Sequence, residues 1–176
     1  RARELLEMEK QRARRSGVAV PKKIELGVML EVPALLWQLE TLLPTVDFVS
    51  VGTNDLMQYL YAADRGNDAL RERYDPLSPA MLRVLKTVAD QCKLAGVPVS
   101  VCGEMAGQPL EAMVLIALGY DTLSVSTQGL EAVKMMIPTL DTRQLLPYLD
   151  MLMKSREHSL RDRLLSFARD HQVNII

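Results

Sequence analysis

Four apolar runs, each followed by a helical pattern, constrain this chain more than any other feature. They are "IELGVMLEVP" (24–33), "VDFVSVG" (46–52), "VPVSVC" (97–102) and "YDTLSVS" (120–126). Each is rich in β-branched residues and too short for a helix of ordinary length. Continuous apolar strands of this kind suit a parallel sheet covered on both faces. The order strand, helix, four times over, predicts an α/β fold.

The helical segments between them carry their own signals. Residues 1–16 are charged, with an apolar position every three or four residues, and read as a surface helix ending near Gly17. Pro33 opens a helix through about Leu43. Ser78 caps a helix over 79–95 that gathers Met81, Leu82, Leu85, Val88, Ala89 and Cys92 on one face. Pro109 to Leu118 is a further helix, closed by Gly119. Between Asp55 and Cys102 the spacing widens around "YAADRGNDALRERYDPLSP", a polar stretch that reads as an enlarged loop. After Thr139 the pattern changes to a helical tail, capped by Asp141, running to about Asp170 and bending at Pro147. The expected units are a helix at 1–17, a strand–helix body at 18–140 and a tail at 141–176.

Composition narrows the function classes. The chain has 176 residues, is 48% hydrophobic and carries a formal net charge of -1. That is enough to bury one sizeable core. So even a charge balance gives no reason to expect a nucleic acid or an anionic membrane as partner. No apolar run is long enough to span a bilayer. Cys92 and Cys102 show no metal-ligand spacing and read as reduced thiols of a cytoplasmic protein. A start at Arg1 rather than Met suggests a piece of a longer protein, or a processed terminus.

The chemically capable residues gather at one place. Glu31, Asn54, Asp55 and Cys102 all fall at or just past the carboxyl ends of the predicted strands. Barrels and open parallel sheets both build their sites at that face. Two carboxylates on neighbouring strand ends repel unless a cation lies between them, and Mg²⁺ takes one or two protein carboxylates plus substrate phosphate. The plainer reading leaves Glu31 exposed and has Asp55 or Asn54 merely capping a helix. Cys102 is either a small buried hydrophobe or, given its place before Gly103, a thiol able to exchange a proton with carbon. Arg65 in "AADRG" suits bidentate capture of phosphate or carboxylate, or is a solvated loop arginine. Cys92, Trp37 and the scattered methionines read as core. Arg71, Arg73, His158 and His171 are assigned no chemistry.

Three motifs carry a family likeness: "GVMLEVPA", "VDFVSVGTNDLMQYLYAADR" and "VCGEMAG". In this order and at these separations they resemble the phosphoenolpyruvate-using enzymes. Enzyme I of the bacterial sugar phosphotransferase system and pyruvate phosphate dikinase are the best-known members. The likeness covers roughly residues 20–140, with "YDPLSPAMLRV" and "ALGYDTLSVS" in agreement, and is nearest to the nitrogen-type paralogue of enzyme I.

The resemblance implies a fold and a reaction. The fold is the carboxyl-terminal half of a TIM (β/α)8 barrel, since a full barrel has eight strands and typically about 250 residues. Glu31 and Asp55 match the magnesium ligands. Asn54, Asp55 and Arg65 match substrate-binding positions, with Gly52 and Thr53 shaping the turn beside them. Cys102 matches the acid that protonates the enol carbon. The implied reaction moves the phosphoryl group of phosphoenolpyruvate to a histidine on a separate domain, then to a small phosphocarrier protein, releasing pyruvate. That histidine domain and two further substrate arginines find no counterpart here, so the chain alone is expected to be inactive in transfer. Family members are dimeric through this domain, and open strand edges also favour a homodimer. The alternatives are another Mg²⁺-dependent pyruvate or phosphoenolpyruvate barrel, which would not need Cys102, and a dimerisation or regulatory module without activity.

Overall fold

The computed structural model describes residues 1–64, 66–67 and 73–175. Its centre is a four-stranded, all-parallel sheet in the order β1-β2-β3-β4. The strands are β1 (Val28–Leu30), β2 (Val49–Gly52), β3 (Val99–Cys102) and β4 (Thr122–Leu123). The register pairs Leu30 with Val51, Val51 with Val101, and Gly52 with Cys102. Leu30, Val49, Val51 and Val101 are fully buried. Such side chains each contribute roughly 1.5–3 kcal/mol on leaving water. The fourth strand is shorter than its sequence pattern suggests, with Thr122 exposed and Leu123 half-buried.

Helices cover the sheet between strands. Helix α1 (Ala2–Arg15) buries none of its residues and ends as the chain turns at Gly17 with φ +73°. A 3₁₀ turn (Pro33–Gln38), the short α2 (Leu39–Leu42) and a second 3₁₀ turn (Leu43–Thr45) follow β1. The segment 33–43 is therefore not the single helix expected. Three-residue periodicity places Leu36 and Leu39 on one face and turns Trp37 outward. Trp37 is 81% exposed, which corrects its assignment to the core. The methionines divide: Met81, Met105, Met113, Met136 and Met153 are buried, whereas Met8, Met29, Met135 and Met151 are exposed.

Helix α3 (Thr53–Tyr61) starts directly from β2. Helix α4 (Pro79–Ala95) has Ser78 as N-cap, Pro79 in its first turn and Gly96 closing it in the left-handed region at φ +66°. Its expected apolar face is buried, Cys92 included. Past β3 come a 3₁₀ turn (Glu104–Gly107) and α5 (Pro109–Ala117), which is buried almost all round. It packs against α6 (Thr127–Met136), α7 (Thr142–Leu152) and α8 (Arg161–Asp170).

The tail keeps its N-cap but moves its break. Asp141 accepts a hydrogen bond from the Arg143 N–H at 3.0 Å. Helix α7 runs through Pro147 without interruption, and the helices part over 153–160 instead. Pro147 forfeits only a bond to Arg143 in the first turn, while Leu145, Leu149 and Leu152 are anchored by burial. Leu160, Leu164, Phe167 and Ala168 join the same buried cluster as the sheet.

Candidate functional site

The sheet register sets the site. Gly52, at the end of β2, lies opposite Cys102, at the end of β3. A Cβ on Gly52 would come within 3.0 Å of Glu31 Oε2 and 3.2 Å of Glu31 Cβ. The Glu31 side chain thus lies across the bare backbone of Gly52, and a Cβ there would press it aside by a few tenths of an ångström. Glu31, Gly52 and Cys102 form one row across three strand ends. Asp55 stands in the first turn of α3, where the helix dipole favours an anion. Glu31, Asn54, Asp55 and Cys102 are each half-buried, and Gly52 and Thr53 are buried.

Cys102 keeps contact with both solvent and protein. The Ser50 hydroxyl donates to Sγ at 3.6 Å, and Sγ lies 3.5 Å from the Val51 carbonyl oxygen that can accept its proton. Met29 Sδ is 3.6 Å away. Cys92 is fully buried, and burial pushes its pKa up to about 11. Thr53 donates to the Cys102 carbonyl at 3.0 Å, and Asn54 Oδ1 accepts the N–H of Glu104 at 3.1 Å. With Oδ1 committed to the backbone, Asn54 keeps its amide N–H groups for a ligand.

A cleft of about 470 Å³ adjoins the row, lined by Thr53, Asn54, Met57, Tyr61, Glu104 and Glu111 among others. It shares Thr53 and Asn54 with the site but is not lined by Glu31, Asp55 or Cys102. Arg65, the expected anion-binding arginine, lies outside the described residues, as does Arg71. Arg73 is exposed, with its guanidinium 5.8 Å from the centre of the Tyr74 ring. His158 is exposed, and His171 stacks on Phe167 with ring centres 4.1 Å apart. Among the described residues no group of three or more His, Cys, Asp or Glu is arranged to hold a metal ion. Two carboxylates fit the hard, oxygen-seeking kind of ion that completes its shell with water and substrate.

One polar cluster went unforeseen. Arg161 of α8 donates to both oxygens of Asp75, at 2.9 and 3.0 Å, and to Glu111 at 2.7 Å. Asp75 also accepts from the Ser159 hydroxyl and the Leu77 N–H. Glu111 is only 5% exposed and borders the cleft. An acid inside the otherwise apolar "PLEAMVLIA" was the available signal, since a buried glutamate requires a cation.

Comparison with known proteins decides the family. The profile of the "PEP-utilising enzyme, PEP-binding domain" family matches residues 1–142. The chain belongs to this PEP-utilising family. A Salmonella typhimurium protein named "Phosphoenolpyruvate-dependent phosphotransferase system" is 44% identical over 125 residues, 71% of this chain and 17% of that protein. The "Phosphoenolpyruvate-protein phosphotransferase" of Bacillus sp. (strain S) is 43% identical over 129 residues, 73% of this chain and 22% of its own. That of Streptococcus equinus is 33% identical over 174 residues, covering 99% of this chain and 30% of its own. The chain therefore spans less than a third of the length of these relatives. Its four parallel strands and covering helices are consistent with part of the PEP-binding barrel of that family. No helix among the described residues is long and apolar enough to cross a membrane.

Proposed function

We propose that the strand-end row binds phosphoenolpyruvate, with a Mg²⁺ ion held by Glu31 and Asp55 and the Cys102 thiol facing the substrate's methylene carbon. The single observation that carries this reading is the Glu31 carboxylate laid over Gly52, directly beside Cys102 in register. When bound, the ion supplies positive charge against the phosphoryl and enol oxygens. Asn54 offers its amide N–H groups to the same oxygens, and Arg65 is assigned a share of that work.

In a polypeptide that also carries a phosphohistidine domain, the reaction is phosphoryl transfer. The phosphorus–oxygen bond of the enol ester breaks, and the phosphoryl group passes to a histidine nitrogen and later to a phosphocarrier protein. The enolate left behind takes the Cys102 proton at carbon, giving pyruvate and a thiolate that recovers its proton from solvent. The Ser50 hydroxyl, already donating to Sγ, is placed to stabilise that thiolate. This chain alone is not expected to complete the transfer.

The same reading includes a homodimer and a cytoplasmic location. Val32, Trp37 and Phe48 are exposed apolar residues, which supports association. Free Cys92 and Cys102 are in keeping with a reducing compartment. A nitrogen-type role for the full-length protein is part of the proposal, and a sensory domain in its complete gene would support it.

Calorimetric titration tests the site. Phosphoenolpyruvate is expected to bind this chain in the presence of Mg²⁺, and Glu31→Gln to weaken binding at least about tenfold, the loss of one charge-assisted contact. Equal affinity with and without Mg²⁺, or an unaffected Glu31→Gln, would refute it.

A further inference from the structure

Gly103 sits at φ +110° and ψ 179°, a backbone region that essentially only glycine enters. The two peptide groups flanking it are both held by side chains from the first turn of α3. Thr53 Oγ1 donates to the carbonyl of Cys102, the residue before. Asn54 Oδ1 accepts from the N–H of Glu104, the residue after. A Cβ on Gly103 would collide with Thr53 Oγ1 and come within 3.0 Å of Asn54 Oδ1. The glycine-only backbone and the two side chains therefore fit as a set.

The location gives this arrangement its use. Strand β2 becomes helix at Thr53, one residue after the Gly52–Cys102 pairing. At that level a side-chain hydroxyl, rather than another rung of the sheet, reaches the Cys102 carbonyl. Thr53 is 2% exposed, and its hydroxyl proton is already given to the Cys102 carbonyl. We propose that Thr53 is a positioning residue, which fixes the Cys102 thiol at the strand mouth by anchoring its carbonyl and the Gly103 turn. The inference deepens the phosphoenolpyruvate reading and rests on it for its catalytic meaning.

Alkylation of the chain with iodoacetamide tests both, because Cys92 is fully buried and unreactive while the protein is folded. In Thr53→Val, Cys102 is expected to alkylate about fivefold faster than in the wild type, the population change that one ordinary hydrogen bond controls. Thr53→Ser, which keeps the hydroxyl, is expected to restore the wild-type rate. Equal rates in all three proteins, or a serine variant that behaves like valine, would overturn the positioning role. Phosphoenolpyruvate with Mg²⁺ is expected to slow Cys102 alkylation in the wild type. An absence of that protection, with the valine and serine variants still apart, removes the substrate reading and leaves the positioning role intact. Should Thr53→Val unfold, Cys92 will react too, and the decision passes to proton NMR of the wild type. There a slowly exchanging Thr53 hydroxyl proton is expected, and its absence would overturn the proposal.

Discussion

Replacing Arg161 by Met should loosen the carboxyl-terminal helices from the rest of the fold. The guanidinium is the shared cation of two carboxylates, Asp75 and Glu111, whose side chains are only 16% and 7% exposed. Breaking a buried pair by removing one partner typically costs 3–5 kcal/mol, because it strands the other charge. Arg161 itself keeps 38% of its side chain in solvent. Water therefore already screens part of the attraction, which places the expected loss near the lower end, about 3 kcal/mol. With a urea slope of about 2 kcal/mol/M for a domain of this size, the midpoint falls by about 1.5 M. Adding Glu111→Gln to Arg161→Met should recover part of the loss, since the neutral amide no longer strands a charge. The pH dependence has a fixed sign. Burial works to raise the Asp75 pKa, but hydrogen bonds from Arg161, the Leu77 N–H and Ser159 outweigh it and hold the carboxyl below the ordinary aspartate range. A depressed native pKa contributes stability that is complete above the unfolded value, about 4, and fades as pH falls below it. The penalty of Arg161→Met should thus be full at neutral pH and shrink below about pH 4. A midpoint shift under about 0.5 M at neutral pH, which corresponds to less than 1 kcal/mol, would show that the cluster does not anchor the tail.

Two further substitutions probe the framework around the site. Ser78→Ala removes the cap on the Met81 N–H and the partner of the Tyr61 hydroxyl, and should lower stability by about 1–2 kcal/mol in the same denaturation assay; an unchanged midpoint would mean the cap is dispensable. Gly129→Ala would set a methyl 2.5 Å from the Gly107 carbonyl oxygen, backbone against backbone. It should cost about 1–3 kcal/mol by forcing α6 away from the turn after β3, and a neutral result would show that this contact yields freely.

The parallel sheet was legible because its strands announce themselves without help from tertiary context. Runs such as Val49–Gly52 and Val99–Cys102 are apolar, β-branched and bounded by turns. The capped helices were equally readable, with Ser78 and Gly96 bracketing α4 where expected. Proline misled at two places, because its effect depends on the surrounding packing as well as on the N–H it lacks. From Pro33 to Thr45 the chain broke into two 3₁₀ turns with the short α2 between them, and Trp37 faced outward. At Pro147 burial of the flanking leucines kept the helix continuous. Of the site, Glu31 and Cys102 were readable as strand-end residues. Gly52 and Thr53 were read only as shaping the turn; the Glu31 approach to Gly52, the Gly103 backbone and the Thr53 bond to Cys102 were not, because a close approach and a side-chain-to-backbone bond across 49 residues leave no local mark. The Arg161 cluster escaped for the same reason, joining residues 86 and 50 positions apart.

The central claim is most directly tested by proton NMR of pyruvate in D₂O with this chain and Mg²⁺. A thiol facing the substrate's carbon should exchange the methyl protons of pyruvate for deuterium through the enol, without any phosphoryl acceptor. The account predicts loss of the methyl signal with the wild-type chain and none above background with Cys102→Ala, although pyruvate still binds. Exchange at the same rate in Cys102→Ala, or a wild-type chain that leaves the methyl group untouched, would contradict it.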